Sequence, residues 1–159
     1  MNITIKNVKH VEFASDETHC FSASVYVDGK RSFGVSNNGH GGADAYHSID
    51  KKTHSEVNDI VASIDAELGK ETIKTDFGDL TNDLELVIGE LVNDWVVDRL
   101  IKKNLKKICY VKGGSVYLLP AKHKPTTDNI AAVQKAPWWK PENKILNGLP
   151  LAEVRQYFN

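Results

Sequence analysis

The residues best suited to chemistry fall in one loop. Ser36-Asn37-Asn38-Gly39-His40-Gly41-Gly42-Ala43-Asp44-Ala45-Tyr46-His47 holds three glycines, two asparagines, two histidines, an aspartate and a tyrosine. Imidazole and carboxylate ligands suit zinc, manganese or iron. His40, Asp44 and His47 are therefore the candidate metal ligands or acid–base groups, with His54, or His19 beside Cys20, as a fourth ligand. Backbone N–H groups in a glycine-rich turn can also cradle an anion, which makes Asn37, Asn38, Gly39, Gly41, Gly42 and Tyr46 the candidate ligand loop. The His-x3-Asp-x2-His spacing does not suit a helix, because Gly41 and Gly42 disfavour one. Neither Gly-Lys-Ser/Thr nor Gly-x-Gly-x-x-Gly is present, so no nucleotide fingerprint is met. The competing reading is a structural loop whose Asn, Asp and His side chains satisfy backbone groups while Tyr46 anchors it to the core. No cofactor is expected; a divalent metal is the exception this loop could accommodate.

Three further groups carry weight. Lys102, Lys103, Lys106, Lys107 and Lys112, then Lys122, His123 and Lys124, bracket a hairpin bearing Tyr110 and Tyr117. Lysines interleaved with aromatics can hold nucleic acid, phosphates by charge and bases by stacking; they can also be helix-terminal lysines and a charged sheet edge. Trp138 and Trp139 sit between Pro137 and Pro141. One is expected to pack and the other to anchor a partner, since Trp is enriched at binding hot spots. From Glu56 to Asp98 the chain has 12 Asp/Glu, an acidic surface fit for a basic groove through Glu85, Asp94 and Asp98.

Lys70 and Lys74 are the only basic residues in that acidic stretch. No nucleophile is organised. His19 and Cys20 are neighbours that point to opposite faces of a strand, and nothing resembles Gly-x-Ser-x-Gly. The chain therefore reads first as a binding protein, with a small metal- or anion-binding protein or enzyme centred on the Gly39–His47 loop as the alternative.

The elements that must position these groups are legible from periodicity. Ile3, Ile5, Val8, Val11 and Phe13 read as a first strand, bulged near Asn7. Phe21, Ala23, Val25 and Val27 alternate with polar residues as a second strand, Asp28-Gly29 supplies a tight turn, and Phe33 and Val35 give the return strand. Thr53-His54-Ser55-Glu56 has the form of a capping box. Val57, Ile60, Val61, Ile64 and Leu68 follow as one helical stripe, with Gly69 placed for a left-handed cap. Residues 70–79 read as loop. A long helix over about 81–107, capped by Thr81 or Asp79, carries Leu84, Ile88, Val92 and a wide apolar face that Leu86, Val97, Leu100 and Ile101 extend. A second hairpin turns at Gly113-Gly114, and short helices are expected near 126–135, 141–147 and 150–158. The expected fold is α+β: an antiparallel three-stranded meander packed on a long central helix, with a second β-hairpin and short C-terminal helices, in one domain over 1–159.

The chain has 159 residues and a net charge of −1, which hides a split. Residues 1–100 carry 9 Lys/Arg and 18 Asp/Glu, whereas residues 101–159 carry 11 and 3. Such asymmetry suits an anionic partner for the basic part, or mutual neutralisation. The two cysteines read as free thiols of a reducing compartment. Met1-Asn2-Ile3-Thr4-Ile5-Lys6 has no apolar signal region, and no run is long enough to cross a membrane. These features point to the cytoplasm and against a membrane partner.

The stretch from Val25-Tyr26-Val27-Asp28-Gly29-Lys30 through Val35-Ser36-Asn37-Asn38-Gly39-His40-Gly41-Gly42 to Tyr46-His47 resembles small uncharacterised proteins of bacteriophages and prophages, as does Ile88-Gly89-Glu90-Leu91-Val92-Asn93-Asp94. No activity comes with that resemblance. It implies an accessory protein of the host cytoplasm that binds a macromolecule and inhibits or redirects a host factor or defence system. The expected partner is a host or phage protein, with nucleic acid and a second copy of the chain as alternatives.

Overall fold

The computed structural model describes residues 1–76 and 78–158. The fold is α+β, and the chain divides into two compact units, Met1–Asp94 and Trp95–Asn159.

In the first unit, β1 (Ile3–His10), β2 (Cys20–Val27), β3 (Lys30–Asn38) and β4 (Ala45–His47) form an antiparallel sheet in chain order. The expected meander thus has four strands rather than three. Ala45–His47, read as loop, pairs with β3 from Ser36↔Ala45 to Gly34↔His47. Three residues are too few to display a period of two, which is why the strand escaped notice. The bulge near Asn7 is present: the β1–β2 register shifts between Lys6 and Lys9, and Asn7 has φ 56°. Asp28 and Gly29 have φ 48° and 80°, the paired positive values of a type I′ hairpin turn. β1 ends before Phe13, which is 91% exposed on a 3-10 turn over Glu12–Ala14 instead of extending the strand.

Phe21, Ala23 and Val25 of β2 and Phe33 and Val35 of β3 are buried. Helix α1 (His54–Leu68) packs against β3 and β4 and buries Val57 and Ile64. Its capping box is complete: Thr53 Oγ1 accepts from Glu56 N–H, and the Glu56 carboxylate accepts from Thr53 N–H. Gly69 closes the helix in the right-handed region (φ −64°), not as the expected left-handed cap. The stretch read as loop at 70–79 contains instead a short hairpin of β5 (Thr72–Thr75) and β6 (Gly78–Thr81); Phe77 lies outside the described residues. Neither strand has a buried residue, so no alternation announced it.

Helix α2 (Leu84–Asn104) is shorter than expected at both ends. Asp83, rather than Thr81 or Asp79, caps it: its Oδ1 accepts from Leu86 N–H at 2.8 Å, while Asp65 Oδ1 accepts from Leu84 N–H. Leu84, Ile88, Val92 and Ile101 are buried, but Leu86 and Leu100 are exposed and do not extend the core face. No helix among the described residues is long and apolar enough to cross a membrane.

The second unit has its own small core of Ile101, Cys109, Val111, Leu146 and Val154. β7 (Cys109–Lys112) and β8 (Ser115–Leu118) form the expected hairpin about Gly113-Gly114. The helix expected at 141–147 is absent; β9 (Lys144–Ile145) pairs with the free edge of β7, giving sheet order β8-β7-β9. A proline suited to a first helical turn was outweighed by an edge strand's need for backbone partners. Helix α3 (Thr127–Gln134), capped by Thr126, and helix α4 (Leu151–Arg155) complete the unit.

Two asparagines in this unit contrast. Asn147 Oδ1 accepts from Cys109 N–H at 2.7 Å, and its Nδ2 donates to the carbonyls of Leu105 and Lys107. One side chain thus satisfies the chain leaving α2 and the start of β7. Asn143 is 7% exposed, and neither side-chain atom has a hydrogen-bond partner among the described residues. Asn147→Ala should lower stability by about 1–3 kcal/mol, since it strands buried backbone groups. Asn143→Leu should leave stability unchanged or raise it, since it removes an unpaired amide. Urea midpoints at constant m-value distinguish the two outcomes.

Candidate functional site

The glycine loop is held by Asn37. Its carboxamide is buried and makes four hydrogen bonds. Oδ1 accepts from Thr18 Oγ1 and Gly39 N–H, and Nδ2 donates to Gly42 O and Asp44 Oδ1, all at 2.8–2.9 Å. That is the full capacity of an asparagine side chain. Gly39 is fixed by its backbone: φ is 87°, and an added Cβ would lie 2.0 Å from Ala14 O. Its carbonyl accepts from the N–H groups of Asp16, Glu17 and Thr18. The loop is therefore latched to the β1–β2 connection, and only glycine fits at the latch. Asn38 Oδ1 accepts from His40 N–H, Gly41 N–H donates to Thr18 Oγ1, and Tyr46 packs edge-on against Phe33. Nothing lies within 4 Å of a Cβ added at Gly42.

The three candidate metal ligands are not brought to one point. His40 Nδ1 lies 3.1 Å from Asp16 Oδ2 on the exposed surface, His47 Nε2 lies 2.7 Å from Ser36 Oγ, and Asp44 faces Asn37. Among the described residues no group of three His, Cys, Asp or Glu is placed to hold a metal ion.

Asp44 instead helps line a cavity of about 430 Å³ in the first unit. Thr18, His19 and Phe21 form one wall with Asn37, and α2 supplies Glu85, Leu86, Gly89, Glu90, Val92 and Asn93 from the other. Burial raises the Asp44 carboxyl above the usual carboxylate range; the Asn37 hydrogen bond opposes this, and the Glu85 charge adds to it. The Tyr46 phenol is pushed up by burial and then by the charges of Asp44, Glu85, Asp65 and Asp83. This end of the unit is electronegative.

A histidine pair escaped the sequence reading. His10 Nε2 and His19 Nδ1 are 3.2 Å apart, and Ser15 Oγ lies 3.3 Å from His10 Nε2. The Ser15 hydroxyl donates to Val11 O and accepts from Cys20 N–H, so its proton is committed to the backbone and the trio is no activated nucleophile. The strand pairing His10↔Phe21 was the available signal, because it brings His19 back toward His10.

In the second unit Tyr110 is the centre of four rings. It stacks on Tyr117 at 5.6 Å and meets Trp138 and Trp139 at 5.7 and 5.6 Å. Trp138 is 43% and Tyr117 45% exposed, while Trp139 is half-buried. Opposed residues of an antiparallel pair share a face. Tyr110↔Tyr117 and Lys112↔Ser115 therefore place Lys112 on the ring-bearing face. Lys102, Lys103, Lys106, Lys112, Lys122 and Lys124 are exposed and Lys107 half-buried; among the described residues none of the seven has an ion-pair partner. Of the acidic partner candidates, Glu85 lines the cavity, Asp94 is exposed, and Asp98 is paired with Arg155. Cys109 is fully buried, which pushes its thiol up to about 11 and keeps it protonated at neutral pH.

Asn37→Ala should cost on the order of 2–3 kcal/mol, because it strands buried groups on three segments. Asn37→Asp keeps both acceptors but sets a carboxylate against Asp44. Its deficit should be larger at pH 8 than at pH 5, where protonation relieves the repulsion; urea midpoints at both pH values test this. Comparison with protein-family models, curated proteins and solved structures finds no match to this chain.

Proposed function

We propose that the protein binds an anionic macromolecule through the ring-bearing face of its second unit, and that the partner is single-stranded nucleic acid. The observation that carries this reading is the exposure of Tyr117 and Trp138 on one aromatic cluster. That cluster belongs to a unit with 12 Lys/Arg against 4 Asp/Glu. Bases of any sequence can stack on exposed rings, each stack contributing about 1–3 kcal/mol. Unpaired lysines meet phosphates and release counterions. Trp138 and Tyr117 rest on Tyr110, so they are pre-positioned and lose little freedom on binding. Lys112 beside the rings supports the same reading.

The role is that of an accessory protein of the host cytoplasm, which the resemblance to phage proteins implies, with nucleic acid in place of a host protein. An acidic protein surface would satisfy the charge but has no need of two open ring faces.

Titration of an oligothymidine or an unstructured RNA, followed by tryptophan fluorescence, should reveal binding that weakens steeply with salt. Trp138→Ala and Tyr117→Ala should each weaken it roughly 5- to 100-fold, and Lys112→Glu should flatten the salt dependence. No binding at low salt overturns the proposal, as does tighter binding of an acidic peptide than of the oligonucleotide.

A further inference from the structure

The cavity in the first unit has features that the aromatic face does not use. Its volume of about 430 Å³ falls in the range of small-molecule sites. Its lining combines apolar surface from Phe21, Leu86 and Val92 with the carboxylates of Asp44, Glu85 and Glu90, and among the described residues includes no lysine or arginine.

Gly89 gives an independent reason to regard the cavity as kept open. It lies in the interior of α2, where glycine is among the least favourable residues. No close approach requires it, since nothing lies within 4 Å of a Cβ added there. Gly89 is exposed and lines the cavity, so a side chain added there meets open space at the cavity wall. Leu86, one turn away on the same wall, is left exposed to the same space.

We propose that this cavity binds a small organic cation, an amine or guanidinium carried on an apolar body. The positive end of α2 does not compete for an anion here, because the Leu84 and Leu86 N–H groups are taken by the carboxylates of Asp65 and Asp83. A bare metal ion fits less well. The carboxylates are spread along the walls, and among the described residues no three ligands converge. A cation near Asp44 relieves the repulsion that the Glu85 charge imposes on it, while Phe21, Leu86 and Val92 line the cavity beside the apolar body. Asn37 fixes Asp44 in place before any ligand arrives.

The probes are phenethylamine and phenylguanidine, with phenylacetate and 2-phenylethanol as matched anion and neutral, followed by calorimetry and by amide shifts in NMR spectra. The two cations should bind, with shifts at Asp44 and along residues 85–93, and the anion and neutral should not. Asp44→Asn and Glu85→Gln should each weaken binding by roughly tenfold. Gly89→Leu should abolish binding with a melting temperature at or above that of the parent, which separates a filled cavity from a failed fold. Equal binding of the neutral analogue, undiminished binding to Gly89→Leu, or no cation binding at millimolar concentration overturns the proposal. Tight binding of magnesium, calcium or zinc ions that excludes both cations also overturns it, in favour of a metal site. Oligonucleotide binding should be unaffected by these variants, so this proposal and the preceding one fail separately.

Discussion

The first unit depends on the four hydrogen bonds of one buried carboxamide. Asn37 reaches the β1–β2 connection through Thr18, the end of its own strand through Gly39, and the far side of the loop through Gly42 and Asp44. Buried amides are costly unless they are paired, and here every donor and acceptor is used. The surrounding backbone is held in return. Part of the glycine density follows from this arrangement: Gly39 must let Ala14 approach, and Gly41 takes a φ of 76° close against Glu17. A loop that looks in sequence like a catalytic or phosphate-binding segment is latched to a neighbouring connection, and the latch sets Asp44 at the edge of a cavity.

The second organising constraint is charge. The division into units falls close to the change of sign in the sequence: Met1–Asp94 has 8 Lys/Arg and 17 Asp/Glu, and Trp95–Asn159 has 12 and 4. Charge of one sign on a compact unit adds self-repulsion and gains solubility and steering of an opposite partner. Surface ion pairs of the acidic unit, such as Arg31–Asp50 and Lys70–Glu67, contribute little to stability. Stability in each unit rests instead on its buried apolar residues and on one asparagine that ties several backbone segments together, Asn37 in the first with four hydrogen bonds and Asn147 in the second with three.

What could be read from the sequence was what local chemistry decides. Asp28-Gly29 and Gly113-Gly114 announced their turns, Thr53 and Glu56 their capping box, and Val25, Phe33 and Val35 their buried face. What could not be read was decided by partners distant in the chain. Strand β9 exists because β7 has a free edge more than thirty residues earlier, and the start of α2 is held in part by Asp65, nearly twenty residues earlier, which accepts from Leu84 N–H beside the Asp83 cap. The candidate sites divide in the same way. The loop was visible as a cluster of residue types, but its histidines turn out to face Asp16 and Ser36. The wall that faces Asp44 comes from residues 85–93, whose carboxylates looked like an ordinary solvated helix face. The tryptophan pair was legible because prolines flank it; its packing against Tyr110 was not, because that depends on the turn of a different hairpin.

Helix α2 draws these constraints together. Acidic residues near its start and lysines near its end are what the helix dipole favours, and that accounts for Asp83 and Glu85 at one end and Lys102 and Lys103 at the other. The dipole acts only over the first and last turns. It does not explain Glu90 and Asp94 in the interior, or Lys106, Lys107 and Lys112 beyond the helix. Nor does it explain a glycine at position 89, where alanine would serve the helix better by about 1 kcal/mol. Capping, dipole and core packing leave these residues over. Glu90 and Gly89 line the cavity, and Lys112 shares a sheet face with Tyr110 and Tyr117. Gly89, Glu90 and Lys112, which dipole, capping and core packing do not account for, thus lie at the two candidate surfaces.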